Sequence, residues 1–187
     1  MKSINLIFTA LIFIASTSCK NETKEATNTL ETSSKANEKT GQAFISDDES
    51  KPTVLSIAIN SKDHTTLVAA VQAAQLENVL VNAGPLMVFA PTNEAFAALP
   101  AGTVENLLKP ENKDALANIL KYHVTPGNYS KEFLKKFKKL GQANNGYVTI
   151  EVVDGEPFIG GAKIIASIPA GNGIVHVIDK VLLPPTE

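Results

Sequence analysis

Gly84-Pro85-Leu86-Met87-Val88-Phe89-Ala90-Pro91-Thr92-Asn93-Glu94-Ala95-Phe96 is the stretch on which the fold turns. Leu86 to Ala90 is a short apolar run closed on both sides by breakers, Gly84-Pro85 and Pro91, and this predicts a buried strand rather than a helix. Thr92 then stands as N-cap of a helix over Asn93 to Leu99. Glu94 is favourably placed in its first turn, and Pro100 stops it.

Upstream, Asp63 is a plausible cap for a helix whose Leu67, Ala70, Val71 and Ala74 share one face. Downstream, Gly102-Thr103 opens a short helix through Leu108. Beyond Lys109-Pro110, Leu116, Ile119, Leu120 and His123 fall at i, i+3, i+4 and i+7, which puts a histidine on an apolar helical face. The period then changes. Val148, Ile150 and Val152 alternate with Thr149 and Glu151, and Asp154-Gly155 ahead of Pro157-Phe158-Ile159 predicts a hairpin with a tight glycine turn. Ala162 to Ile168 reads as a further strand, and Gly171-Asn172-Gly173 as a turn before Ile174 to Leu183, the longest strand candidate. Helices followed by mainly antiparallel strands predict an α+β domain over residues 51–187.

The N-terminus has a different character. Lys2, the apolar stretch Ile4 to Ala15, and Ala15-Ser16-Thr17-Ser18 before Cys19 have signal-peptide order over residues 1–18, and the run is too short to span a bilayer. A small residue before a cysteine resembles the bacterial lipobox, with Ser16 where leucine is usual. That makes Cys19 the candidate lipidation site and the membrane a partner; the alternative is a plain secretory signal with an incidental cysteine. Residues 19–50 read as a disordered acidic tether, since Lys20 to Ser50 hold four lysines and seven acids with Phe44 the only aromatic residue. As a coil of roughly 30 residues it holds the domain about 30 Å from its anchor.

Removing Lys2 and the tether from 17 bases and 19 acids leaves 12 of each in residues 51–187, a formally neutral domain that advertises no strongly charged partner. All 17 bases are lysine. The planar fork that favours base-edge recognition is missing, and no nucleic-acid partner is expected. A single cysteine excludes an intramolecular disulfide and a cysteine-based zinc site in the domain.

Three segments together resemble the fasciclin (FAS1) domain: the opening stretch Gly84 to Phe96, the pair Tyr122-His123, and Gly171-Asn172-Gly173-Ile174-Val175-His176-Val177-Ile178-Asp179-Lys180-Val181-Leu182-Leu183-Pro184, in the family's order and spacing. The resemblance covers residues 52–185 and implies a β-sandwich wedge with flanking helices in the N-terminal half. It also implies a family role in cell-surface adhesion. Its signature positions here are Thr92, Asn93, Phe96, His123, Asn172, Gly173, His176 and Asp179. Animal relatives carry an Asp-Ile pair that takes part in integrin binding where this chain has Ser167-Ile168. The carboxylate is absent, so integrin recognition is not expected.

No histidine lies in a metal-ligand spacing, so no metal or other cofactor is expected. His123 and His176 read as core histidines donating to an oxygen, with His123 expected to bond the loop around Thr92 and Asn93. Tyr122 reads either as an exposed contact, a role the resemblance implies, or as a half-buried ring with its hydroxyl at the surface. Lys131, Lys135, Lys136, Lys138 and Lys139 interleave with Phe133, Leu134 and Phe137. This predicts a short amphipathic helix over residues 130–140 whose basic face is either simply solvated or a patch for anionic polysaccharide or headgroups. No G-x-S-x-G elbow or phosphate-binding glycine motif occurs, so no catalytic residue is assigned. The leading expectation is a non-enzymatic, secreted, lipid-anchored envelope module that adheres to a surface protein or polysaccharide. The alternatives are a carrier of a small apolar ligand such as a pigment or lipid, and an envelope hydrolase.

Overall fold

The computed structural model describes residues 51–82 and 84–185; the expected signal, Cys19 and the tether lie outside the described residues. Among the described residues, seven short α-helices come mostly first: α1 (Val54–Ile59), α2 (Thr65–Ala73), α3 (Glu77–Asn82), α4 (Asn93–Ala97), α5 (Thr103–Leu107), α6 (Lys113–Tyr122) and α7 (Lys131–Leu134). The strands are β1 (Leu86–Pro91), β2 (Val124–Pro126), β3 (Lys139–Gly141), β4 (Tyr147–Val153), β5 (Glu156–Ile159), β6 (Ala162–Ala170) and β7 (Gly173–Ile178). They form one seven-stranded sheet in the order β2-β1-β7-β6-β5-β4-β3, antiparallel except where β1 runs parallel to β7. The sheet curls into a nearly closed wedge. Its two ends meet where Ala143 N donates to Val124 O at 2.7 Å and Thr125 Oγ1 donates to Gln142 Oε1 at 2.9 Å.

β1 explains why its sequence is apolar without alternation. Met87 and Phe89 point into a core inside the wedge, with Ile159, Ile164 and Ile178. Val88 and Ala90 point into a second core beneath the helices, with Leu55, Leu67, Val71, Leu120 and Val175. A strand buried on both faces has no polar side to show. β7 is buried along its whole length for the same reason. Residue type is fixed most tightly at Gly173, which pairs with Leu86: a Cβ there would come within 1.8 Å of Leu86 O. The β4–β5 turn holds both Asp154 and Gly155 at positive φ (52° and 79°), the backbone of a tight two-residue hairpin.

Several local expectations change. Asp63 is not a cap. It lies in a single 3-10 turn, Lys62–His64, capped by Ser61, and α2 begins after it. The run Ile174 to Leu183 does not stay extended. β7 ends at Ile178, because Asp179 Oδ1 turns back to accept Lys163 N at 2.7 Å and Lys180 Nζ donates to Gly161 O at 3.1 Å; β6, with nine residues, is the longest strand. The helix expected over 130–140 stops at Leu134, since Lys139 is already paired with Thr149 in β3.

Candidate functional site

Most signature residues hold the helical layer to the sheet. Thr92 Oγ1 accepts Ala95 N at 3.2 Å and caps α4. Asn93 Oδ1 accepts Thr66 N at 3.0 Å and Thr65 Oγ1 at 3.2 Å, while Nδ2 donates to Lys62 O at 2.9 Å, so one amide fastens the start of α2. Asn172 does the same on the other flank: Oδ1 accepts Val54 N at the start of α1 (2.9 Å), and Nδ2 donates to Leu80 O (2.8 Å) and Val81 O (3.3 Å) of α3. Phe96 packs into the core beneath the helices. Asn93 through Thr66 N and Asn172 through Val54 N, Leu80 O and Val81 O thus meet backbone groups at helix ends, where intrahelical partners run out.

The two buried histidines have tautomers fixed by their partners. His123 Nδ1 faces Ile119 O at 2.8 Å and donates to it, so Nε2 is the lone pair that accepts Leu182 N at 2.9 Å. The expected bond to the Thr92–Asn93 loop is not made. His123 instead ties α6 to the C-terminal segment, because it terminates the helix and its ring turns toward Leu182. Burial holds its pKa down at about 4, against the opposing pull of the Ile119 carbonyl. His176 Nε2 donates to Tyr129 O at 2.9 Å, Nδ1 accepts the Ser167 hydroxyl at 2.7 Å, and the ring stacks on Phe89. Burial lowers its pKa too. Among the described residues no three His, Cys, Asp or Glu side chains converge on a point that would hold a metal.

Tyr122 is neither an exposed contact nor a half-buried ring. The ring is buried at 5% exposure inside the wedge, and its hydroxyl donates to Tyr147 O at 2.8 Å; burial raises its pKa. The lysines separate into two groups. Lys131 is paired with Glu156, and Lys135 reaches both oxygens of Glu132 at 2.8–2.9 Å. Lys136, Lys138 and Lys139 are exposed, with Lys136 Nζ 4.9 Å from the centroid of the half-exposed Phe133 ring. Phe133 in turn stacks on Tyr129 and meets the edge of Phe137, giving a small aromatic cluster beside Lys136.

A feature that sequence reasoning missed lies under α1, α2 and α3. There an apolar cleft of about 190 Å³ opens against β1, β2 and α6. Leu55, Val71, Leu80 and Val88 are among its walls, and Lys121 and His123 are its only lining side chains with a polar atom. The signal was present in Leu76, Val79 and Leu80, whose i, i+3, i+4 spacing puts one apolar face on α3. Sequence alone gave no indication that this face lines an open cleft as well as packing on the core.

The profile of the Fasciclin domain matches residues 62–184. Protein sll1483 of Synechocystis sp. is 48% identical over 138 residues, covering 73% of this chain and 76% of that protein. Transforming growth factor-beta-induced protein ig-h3 of Sus scrofa is 42% identical over 144 residues, covering 72% of this chain and 20% of that much longer one. Among solved structures, a FAS1 domain pair from the insect cell adhesion molecule Fasciclin I superposes with a TM-score of 0.61 at 19% identity, over 71% of this chain and 51% of that chain, which shows the same fold. With its signature residues, its wedge and its relatives in agreement, the chain belongs to the fasciclin domain family.

Proposed function

We propose that the domain is a non-enzymatic adhesion module, tethered to the bacterial envelope through a lipid on Cys19, that binds anionic polysaccharide or a surface protein by its α7–β3 corner. The observation that carries this is the exposure of Lys136, Lys138 and Lys139, close together in sequence, with Lys136 Nζ 4.9 Å from the half-exposed Phe133 ring. Cations flanking an accessible ring suit a polyanionic chain better than a neutral one. Two of the five candidate lysines are already offset by Glu132 and Glu156, so the basic patch is smaller than the sequence suggested. The insect cell adhesion molecule of the same fold is consistent with this role. The test is retention of the full chain on immobilised acidic polysaccharide from its host. A triple Lys136→Ser, Lys138→Ser, Lys139→Ser variant should lose most retention, and 1 M salt should remove it, because screening contracts to about 3 Å there. Equal retention of the variant would sink the patch as the contact.

A second reading is favoured by the cleft: carriage of a small apolar ligand. Its walls are almost wholly hydrocarbon, the lining expected of a small-molecule site.

A further inference from the structure

We propose that the cleft takes a small amphiphile with one anionic head, of the medium-chain monocarboxylate class, its chain between α1, α2 and α3 and its carboxylate at Lys121; this rests on the carrier reading above. Size sets the chain. About 190 Å³ lies close to the roughly 150 Å³ that holds a benzene ring and below the roughly 300–1,000 Å³ of drug-sized pockets. That leaves space for about six to eight carbons, too few for a long polyene pigment or a diacyl lipid.

Charge sets the head. Of the two lining side chains with a polar atom, His123 is committed on both ring nitrogens, to Ile119 O and Leu182 N. It offers a ligand nothing. Lys121, in the last turn of α6, is exposed, and its ammonium has no ion pair or hydrogen bond among the described residues. No Asp or Glu lines the cleft to neutralise it. An exposed lysine that lines an otherwise apolar cleft is placed to meet a carboxylate at the end of a buried chain.

Titration calorimetry on the full chain with hexanoate, octanoate and octan-1-ol tests this. Octanoate should bind about five-fold more tightly than octan-1-ol, the upper range of a solvent-exposed ion pair. It should bind about fifteen-fold more tightly than hexanoate, for two further buried methylenes. Lys121→Gln should bring octanoate down to the level of octan-1-ol and leave octan-1-ol unchanged. Equal binding of octanoate and octan-1-ol, or a preference that survives Lys121→Gln, would overturn the head-group assignment while keeping the cleft as an apolar site. Binding of neither would overturn the carrier reading along with it.

Discussion

The inside of the wedge and the layer under the helices are built from the same kinds of residue to opposite ends. Within the wedge, Phe89, Ile159, Ile164 and Ile178 are at most 1% exposed, and every strand is laced to its neighbour. Under the helices, Leu76, Leu80 and Val81 are only half-buried, Val79 is 55% exposed, and about 190 Å³ stands open beneath them. Helices of six to nine residues are too short to be stable alone and depend on what they pack against. The wedge therefore carries stability, and the helical layer, pinned at its ends by Asn93 and Asn172, gives up packing for an accessible apolar surface.

The largest expected effect lies inside the wedge. Phe89→Ala should cost about 4 kcal/mol in denaturant unfolding, since it removes a fully buried ring that also stacks on His176. A loss under about 1 kcal/mol would break the comparison. Next is acid. The folded chain holds His123 with a pKa of about 4 against 6.5 for a free imidazole, so between those values the unfolded chain binds more protons. Stability from this residue is fully present above about pH 6.5 and lost as pH falls toward 4, by about 3 kcal/mol. His176 and His64, also lowered by burial, act in the same direction. His123→Gln should flatten this pH slope; an unchanged slope would place the sensitivity elsewhere. The smallest effect belongs to the helical layer: Leu80→Ala should cost about 1 kcal/mol and Val79→Ala less than about 0.5, because little packing is removed there. Costs matching Phe89→Ala would show that the cleft closes in solution.

What the sequence disclosed follows the same division. The doubly buried β1, the Asp154-Gly155 hairpin and the Thr92 cap were legible because each rests on a local rule: apolar runs between breakers, positive φ at a turn, a hydroxyl before a helix. The Asn93 and Asn172 pins were visible only as family positions, since their partners lie 27 to 118 residues away. β2 and β3 were missed, as three-residue strands carry too little pattern to declare themselves. The helix expected over residues 130–140 failed for a tertiary reason, the pairing of Lys139 with Thr149 outweighing a modest local preference. The orientation of Tyr122 was misjudged because a residue at a helix end can turn either way, and here its ring enters the wedge toward Tyr147. The cleft was illegible, because an apolar residue facing open space and one facing a packed neighbour look alike in sequence.

Native-state amide hydrogen exchange on the full chain tests the division between the two layers most directly. Ile174 to Ile178 of β7 and Phe89 of β1 should exchange only through global unfolding, while Leu80 and Val81 of α3 should exchange orders of magnitude faster through local opening. Protection of α3 equal to that of β7 would contradict it, making the helical layer part of one uniform core.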